Sequence, residues 1–432
     1  MQDITLMTGA WYHEREITIG FPDEWRVHRV KFQDRAVATD ELIRAAFNSP
    51  VGTPRISELA RGKKNAVILC DDLSRPTPAS HLLPVIIKDL HKGGLRDDDI
   101  LIMMGLGCHR PMWRDALVKK LGEEIVQRFR IRQNELDDAF IHLGTTSRGT
   151  PVNINQWVMD CELKIGVSTA EPHRTVGFSG GGKLIMPGAA NWDSINALHV
   201  GLKPGEFGGS LENEQRLDLE EAARMAGLDV SVLVVLNWKR QITDVLLGDM
   251  IQAHRAAVEI AREAYAVDPI DSADIVVATG YPRDNDLDFS GTGAWPLWRA
   301  RSKATKILIA EATEGRGYHR FDIVNDRKRR EAEGRERDRR YPWPPTPVNP
   351  QYFFLSSIVG PAELRDSHPK AMLRRSWEQI LEELKKNYHG RRPKVAVYVS
   401  SGVSYPRPSK IEAVKRFYSR VRSWLPEREY RG

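Results

Sequence analysis

The chain has 432 residues, which is enough for two or three domains with separate hydrophobic cores. Apolar residues make up 41% and charged residues 28%, the composition of an ordinary soluble globular protein. Half of the net charge of +6 lies in residues 326–340, which hold eight basic and five acidic residues. The rest of the chain is near balance, and the basic run contains no interleaved aromatic residues, which argues against a nucleic-acid partner.

The cysteines and the N-terminal residues indicate the cellular compartment in which we expect the protein. The three cysteines are well separated and form no CxxC pair or disulfide framework, which is typical of a reducing compartment. The first sixteen residues lack a basic segment followed by an apolar one, so no signal peptide is visible. No apolar run approaches the roughly 20 residues that span a bilayer. We therefore expect a cytoplasmic protein with no membrane partner.

Short apolar runs alternate with amphipathic stretches in the first half of the chain, which predicts an α/β fold with a mostly parallel sheet. A helix is predicted over residues 81–94, ending at a glycine C-cap. Three predicted strands each lead directly into polar residues, and open parallel sheets bind ligands at that edge. The three strands are 65–70, 99–105 and 163–168.

The second half repeats this organisation. A strand is predicted at 230–235 and a helix at 250–265, and a second α/β unit begins near residue 270 with strands at 274–280, 306–310 and 394–398. We expect an N-terminal cofactor-binding and catalytic domain over 1–270 and a C-terminal domain over 271–410, with the active site in the cleft between them. A basic and proline-rich excursion is predicted at 326–350, and a terminal helix at 411–432 that packs back on the first domain.

A glycine-rich turn, GFSGGGK, spans residues 177–183 and ends in Lys183. Three consecutive glycines allow a close approach of the backbone to a ligand. The spacing fits part of a phosphate-binding loop, but Leu184 stands where a magnesium-binding hydroxyl is needed, and Pro187 interrupts the helix that should follow. The alternatives are a cofactor pocket with a reactive lysine and a glycine hinge with a surface lysine.

Two further motifs follow the first two predicted strands. DDLSRPTP, residues 71–78, contains Arg75, whose planar guanidinium suits a carboxylate or phosphate, although an ordinary capped turn has the same composition. GLGCHRPM, residues 105–112, contains His109. A lone histidine is more often structural than catalytic. However, His109 and His173 both follow strands of one predicted sheet, so they can face one cleft, and a racemase needs an acid/base group on each side of a carbon.

With these residues in view, the chain resembles the nickel-pincer nucleotide-dependent lactate racemase family. The resemblance is strong from about residue 71 to 265 and weak afterwards. The motifs that carry it occur in family order and are DDLSRPTP, GCHRP, LGTTSRGTPV, EPH, GFSGGGKLIMPG and a later LH.

The resemblance implies an isomerase that acts on a 2-hydroxy acid with a nickel-pincer nucleotide, a pyridinium mononucleotide with two sulfur arms and a nickel–carbon bond. Lys183 would tether this cofactor covalently, and His199 would complete the coordination of Ni(II). His109 and His173 would be the acid/base pair, and hydride transfer to the cofactor would give a 2-keto acid intermediate. The other implied residues are Arg75 for the substrate carboxylate, and Asp72, Ser74, Ser179, Gly180, Gly181 and Gly182 for the cofactor.

The loop at residues 280–296 departs from the family pattern. The lactate enzymes carry a glutamine and a lysine that contact substrate, and a gapless alignment places Phe289 and Thr292 there. Losing a cation and gaining an aromatic ring changes which acid fits. We therefore expect a 2-hydroxy acid other than lactate.

Three alternatives stay open: a sugar-acid epimerase with the same cofactor, a non-catalytic phosphate or nucleotide binder, and a nucleic-acid binder that uses the basic run. Retention of both histidines argues against a mere binder. The expected partners are the small-molecule substrate and the proteins that make and load the cofactor.

Overall fold

Two parallel sheets organise the part of the chain that the structure, a computed structural model, describes: residues 1–317 and 352–407. The strands are β1 (Gln2–Thr8), β2 (Arg15–Phe21), β3 (Arg26–Val30), β4 (Ala66–Cys70), β5 (Ile100–Met104), β6 (Arg130–Gln133), β7 (Phe140–Thr145), β8 (Pro151–Asn155), β9 (Leu163–Thr169), β10 (Pro172–His173), β11 (Gly177–Phe178), β12 (Val230–Leu236), β13 (Ile242–Gly248), β14 (Ala266–Val267), β15 (Ile275–Thr279), β16 (Thr305–Ile309), β17 (Tyr352–Leu355), β18 (Ala371–Arg374), β19 (Lys394–Tyr398) and β20 (Tyr405–Pro406).

Helices connect most of these strands. They are α1 (Asp40–Asn48), α2 (Ile56–Leu59), α3 (Ala79–Lys92), α4 (Arg114–Leu121), α5 (Glu123–Arg128), α6 (Gln156–Met159), α7 (Trp192–Gly201), α8 (Glu214–Ala226), α9 (Gln252–Tyr265), α10 (Leu287–Ser290), α11 (Trp295–Arg299), α12 (Pro361–Ser367) and α13 (Trp377–Asn387). Short 3-10 turns occur at Asp97–Asp99, Gly181–Leu184 and Gly291–Ala294.

The first sheet has the order β13-β12-β9-β4-β5-β6, and only its edge strand β13 runs antiparallel to its neighbour. Strands β4, β5 and β9 are apolar along most of their length because both faces of the sheet are covered. Alternate residues of β4 serve the two faces: Ile68 packs in the core that contains α3, and Val67 packs in the core that contains α8. The carboxyl ends of these strands therefore meet at one edge.

The second sheet has the order β18-β17-β16-β15-β19-β3, and all of its neighbouring strands are parallel. The N-terminal strand β3 pairs with β19, so residues 26–30 belong to the second sheet, although the predicted division placed them in the first unit. Pairing partners so far apart in sequence leave no local signal. The β1–β2 hairpin and α13 share one core of this sheet, and α9 packs in the other.

The structure confirms a mixed α/β fold with large, mostly parallel sheets, and the strands predicted at 65–70, 99–105 and 163–168 correspond to β4, β5 and β9. Two expectations, the excursion at 326–350 and the helix at 411–432, lie outside the described residues. Within the described ranges, no helix has the length and apolar content needed to cross a bilayer.

Candidate active site

The loops that follow β4, β5 and β9 come together at the carboxyl edge of the first sheet. Gly105 N donates to Cys70 O at 2.8 Å, which joins the first two loops. Gly107 N donates to Gly188 O at 2.9 Å, which joins the second loop to the end of the glycine-rich segment. The parallel register thus delivers the three sequence motifs to one place, as open α/β sheets do for their ligands.

His109 and Asp72 form a buried dyad. His109 Nδ1 lies 2.5 Å from Asp72 Oδ2, and the other oxygen of Asp72 accepts from Ser74 N at 3.0 Å and Ser74 Oγ at 2.5 Å. Burial alone would raise the pKa of Asp72, but His109 and Arg75 hold it well below its usual range. The ionised carboxylate therefore accepts the Nδ1 proton, and Nε2 of His109 is the nitrogen left for acid/base chemistry.

Two arginines share one buried carboxylate. Arg283 Nη2 donates to Glu171 Oε1 at 2.5 Å, and Arg75 Nε lies 3.6 Å from the same oxygen. Glu171 is fully buried, and its Oε2 has no hydrogen-bond partner in the described part of the chain. Two guanidinium groups facing one carboxylate leave a net positive charge, which favours an anionic ligand beside Arg75.

Lys183 contacts His173 directly, with Nζ of the lysine 2.9 Å from Nε2 of the histidine. Thr175 N donates to His173 Nδ1 at 3.3 Å, so the proton of a neutral imidazole lies on Nε2 and the lysine nitrogen must accept it. Burial, and then the charges of Arg75 and Arg216, lower the pKa of Lys183 well below its usual value. The pKa of His173 is also well below its usual value, chiefly because it is buried. Lys183 is therefore a neutral amine with its lone pair engaged by His173.

Buried polar side chains that sequence reasoning missed brace the glycine turn. Arg216 is fully buried on α8, and its guanidinium donates to the carbonyl oxygens of Val176, Phe178 and Gly180. His254, on α9, donates through Nε2 to Ser179 O at 2.8 Å. A Cβ atom on Gly181 would lie 3.2–3.3 Å from the His254 ring, so the glycine permits this close packing. A buried arginine and a buried histidine within helices give no local sequence signal of such a role.

His199 lies near the C-terminus of α7, and its Nδ1 donates to Ile195 O at 2.7 Å. The neutral tautomer therefore carries its lone pair on Nε2. Burial is the largest cause that lowers the pKa of His199 to about 4. The described residues hold no cluster of three or more His, Cys, Asp or Glu side chains that could bind a metal ion alone. One neutral imidazole fits a metal whose other ligands come with a cofactor.

Lys183 opens on a cavity of about 420 Å³ empty volume, here called the lysine cavity. It brings together Asp72, Ser74, Arg75, Ser179, Gly180 and Lys183, which are predicted site residues from two of the three motifs. Ser168 also lines it, and its buried hydroxyl has no partner among the described residues. The polar end of a nucleotide cofactor fits this cavity, because the cavity offers a hydroxyl without a partner among the described residues, a glycine-rich wall and a neutral amine. Gly181 and Gly182 instead pack against His254 and against α8.

His109 opens on a second cavity of about 470 Å³ empty volume, here called the histidine cavity. Phe289 lines it, with its ring edge-on to His109 at a centroid distance of 5.2 Å and under the Arg75 guanidinium at 5.4 Å. Thr292 was expected beside the substrate, but its hydroxyl donates to Phe289 O at 2.8 Å and the residue is 9% exposed. The hydroxyl of Thr292 therefore fixes the loop.

Comparisons with known proteins identify the family of the chain. The sequence profile of the lactate racemase N-terminal domain matches residues 12–207. The lactate racemase of Lactiplantibacillus plantarum is 31% identical over 335 residues, which cover 73% of this chain and 78% of that protein. The lactate racemase of Thermoanaerobacterium thermosaccharolyticum is 30% identical over 294 residues, covering 66% and 68%.

Two solved structures share the fold. The lactate racemase apoprotein of Thermoanaerobacterium thermosaccharolyticum superposes with a TM-score of 0.71 and 22% identity, covering 94% of this chain and all of that one. A Thermotoga maritima protein superposes with a TM-score of 0.59 and 16% identity, covering 87% and 99%. From these sequence relatives, the chain belongs to the lactate racemase family, a family of isomerases.

Proposed function

We propose that the protein racemises or epimerises a 2-hydroxy acid other than lactate, in the cleft between the two predicted domains. The observation that carries this proposal is the contact between Lys183 Nζ and His173 Nε2 at 2.9 Å. It sets a neutral amine and a neutral imidazole side by side in a chain that also keeps His109 on a carboxylate. A phosphate or nucleotide binder has no use for this combination, since it would gain more from a charged lysine.

The proposed cofactor is the nickel-pincer nucleotide implied by the family resemblance. The neutral amine of Lys183 is suited to hold it covalently, and His199 Nε2 is suited to be the protein ligand of the nickel. Ser168, Ser179 and Gly180 would meet its polar end in the lysine cavity. When bound, the cofactor supplies an acceptor for the hydride of the substrate's α-carbon.

The chain's own residues bind the acid and move protons. Arg75 is placed to hold the carboxylate, because Glu171 compensates only one of the two arginine charges beside it. His109 Nε2 takes the proton of the 2-hydroxyl, and the ionised Asp72 stabilises the imidazolium that forms. His173 is the second acid/base group, on the opposite side, and its Nε2 carries the proton in the tautomer that Thr175 N selects. Once the lysine nitrogen is part of a covalent link, it no longer accepts this proton, and His173 Nε2 can then donate to the substrate.

The substrate preference follows from Phe289. Its ring covers Arg75 and meets His109, so the wall of the histidine cavity is aromatic where the lactate enzymes carry a polar residue. An aromatic wall adds contact area for a substrate longer than lactate. We also propose that the protein works in the cytoplasm and receives its cofactor from separate biosynthetic proteins.

The test is expression in a host that synthesises the cofactor. Intact mass should show an adduct, and peptide mapping should place it on Lys183. His199→Ala should keep the adduct and lose nickel, whereas His109→Ala should keep both and lose turnover. A chain that stays unmodified and nickel-free in a host that loads a lactate racemase would overturn the proposal. A chiral screen of 2-hydroxy acids with the loaded protein then identifies the substrate.

A further inference from the structure

The histidine cavity contains a polar end that the proposed chemistry does not use. Asn285, Asp286 and Glu314 line it together with His109, and all three are buried or nearly so. The two chain segments that carry them are hydrogen-bonded to each other: Glu314 N donates to Asn285 O at 2.8 Å, and Leu287 N donates to Gly315 O at 2.9 Å. The polar end is therefore held by backbone pairing.

Asn285 presents an unpartnered acceptor. Its Nδ2 donates to Glu314 Oε2 at 3.0 Å, and because a carboxylate only accepts, this bond fixes which end of the amide is nitrogen. Its Oδ1 is buried without a hydrogen-bond partner among the described residues, and the residue is 2% exposed. A buried acceptor left unpaired is costly, so the amide oxygen is suited to a donor brought by a ligand.

Asp286 presents a matching donor. Its Oδ1 accepts from Phe289 N at 2.7 Å, which caps α10. Burial, with the nearby charges of Asp288, Glu314 and Asp72, raises the pKa of Asp286 well above its usual value, which favours the protonated carboxyl group. A protonated carboxyl can donate one hydrogen bond. Because Asp286 and Asn285 line the same cavity, this donor and the amide oxygen of Asn285 could serve one ligand group.

The charges around the cavity restrict what this pair can bind. Arg110 Nη2 lies 2.8 Å from Glu314 Oε1, so the guanidinium is compensated and cannot attract a second carboxylate. The carboxylate of Asp72 would repel one. An ammonium group only donates, so it could not accept from a protonated Asp286. The neutral group that both donates and accepts is a hydroxyl, and Phe289 with Trp113 offers aromatic surface for the C–H faces of a hydroxylated chain.

Resting on the proposed 2-hydroxy acid chemistry, we propose that Asn285 and Asp286 form a subsite for a second hydroxyl of the substrate, so that the preferred substrate is a polyhydroxy acid of the sugar-acid type. The reaction at its α-carbon is then an epimerisation. A site built to hydrogen-bond a hydroxyl rejects the analogue that lacks it, because its own buried groups stay unpaired.

The test compares two acids of equal length, 2,3,4-trihydroxybutanoate and 2-hydroxybutanoate, with the nickel-loaded protein. We expect kcat/KM for the trihydroxy acid to be higher by about tenfold to a hundredfold. Asn285→Leu should reduce this ratio towards one. Tyr12→Phe is the matched control, since it also removes a hydrogen bond to Glu314, at 3.0 Å, but leaves the amide oxygen in place, and it should keep the ratio.

The subsite is refuted if the two acids have similar kcat/KM values in the unaltered protein. It is also refuted if Asn285→Leu lowers kcat/KM equally for both acids. Neither result affects the racemase proposal. If Asn285→Leu fails to fold, the ratio in the unaltered protein decides. If the nickel-loaded protein converts neither acid, the proposed function fails on its own. The subsite is then judged by NMR titration of the same protein: tighter binding of the trihydroxy acid by about tenfold supports it, and equal binding of the two acids refutes it.

Discussion

The ring of Phe289 stands edge-on to the imidazole of His109, with the two centroids 5.2 Å apart and the planes at 72°. The same ring lies 5.4 Å below the guanidinium carbon of Arg75. One aromatic side chain thus touches the residue proposed to move a proton and the residue proposed to hold the carboxylate. The ring therefore holds these two side chains relative to each other.

Replacing Phe289 should weaken carboxylate binding first. A cation–π contact contributes about 0.5–2 kcal/mol, so Phe289→Leu should raise KM for the preferred acid by roughly twofold to thirtyfold. Steady-state kinetics of the loaded variant measures this. Phe140→Leu is the control, because Phe140 lies on β7 away from both cavities and should leave KM unchanged. An unaltered KM in Phe289→Leu would contradict the assigned contact.

Replacing Asp72 tests the dyad. Asp72→Asn keeps the shape of the side chain but removes the charge that stabilises a protonated His109, so kcat should fall by about 100- to 10,000-fold. Ser74→Ala removes one hydrogen bond to the same carboxylate and keeps its charge, and it should cost less. Losses of equal size in the two variants would show that the hydroxyl network, rather than the charge, matters.

The neutral state of Lys183 can be measured without cofactor. Exposed lysines have a pKa of about 10.4 and react with acylating reagents far faster at pH 10 than at pH 7. Because the pKa of Lys183 is well below that, its labelling rate should differ less between the two pH values than the rates of exposed lysines do. Competitive labelling with mass spectrometry gives this ratio for each lysine separately.

Arg75 supplies the matched control for that experiment. Its positive charge is one cause of the lowered pKa of Lys183, so Arg75→Met should raise this pKa and slow labelling at pH 7. A Lys183 that labels like exposed lysines in the unaltered protein would contradict the neutral amine.

The buried His254 predicts acid sensitivity of the apoprotein. Burial holds its pKa well below the unfolded value of about 6.5, so below that pH the unfolded chain binds a proton that the folded chain does not. Stability is complete above pH 6.5 and falls as the pH drops. His254→Gln keeps a donor for Ser179 O and should make the fall shallower, by up to about 1.4 kcal/mol per pH unit.

Urea unfolding at pH 7, 6 and 5 measures these slopes. Other buried histidines, such as His173, still contribute, so the slope should decrease in His254→Gln without vanishing. Parallel curves for the two proteins would show that His254 is already protonated in the folded state.

The sequence was sufficient for features with a local pattern. Apolar runs predicted β4, β5 and β9, and a glycine-rich turn ending in lysine drew attention to Lys183. Contacts between distant residues could not be predicted. The Glu171–Arg283 bond spans 112 positions, and it depends on how the two sheets meet.

The direction in which a side chain points could not be predicted from the sequence either. A gapless alignment placed Thr292 beside the substrate, yet its hydroxyl turns to a backbone carbonyl of its own loop. Only the fold shows which way a side chain of such a loop points. The sequence also gives no sign that Arg216 and His254 point toward the glycine turn, because nothing distinguishes their helical positions until the packing of the helices is known.

The pairing of β3 with β19 constrains how the chain is completed during synthesis. Residues 26–30 emerge first, but their partner, residues 394–398, emerges near the end. The first sheet uses strands from within residues 66–248, so it can form while the edge strand β3 still waits for β19. A chain stopped near residue 270 would hold the glycine turn and Lys183 but leave the backbone of β3 unpaired, a surface prone to aggregation.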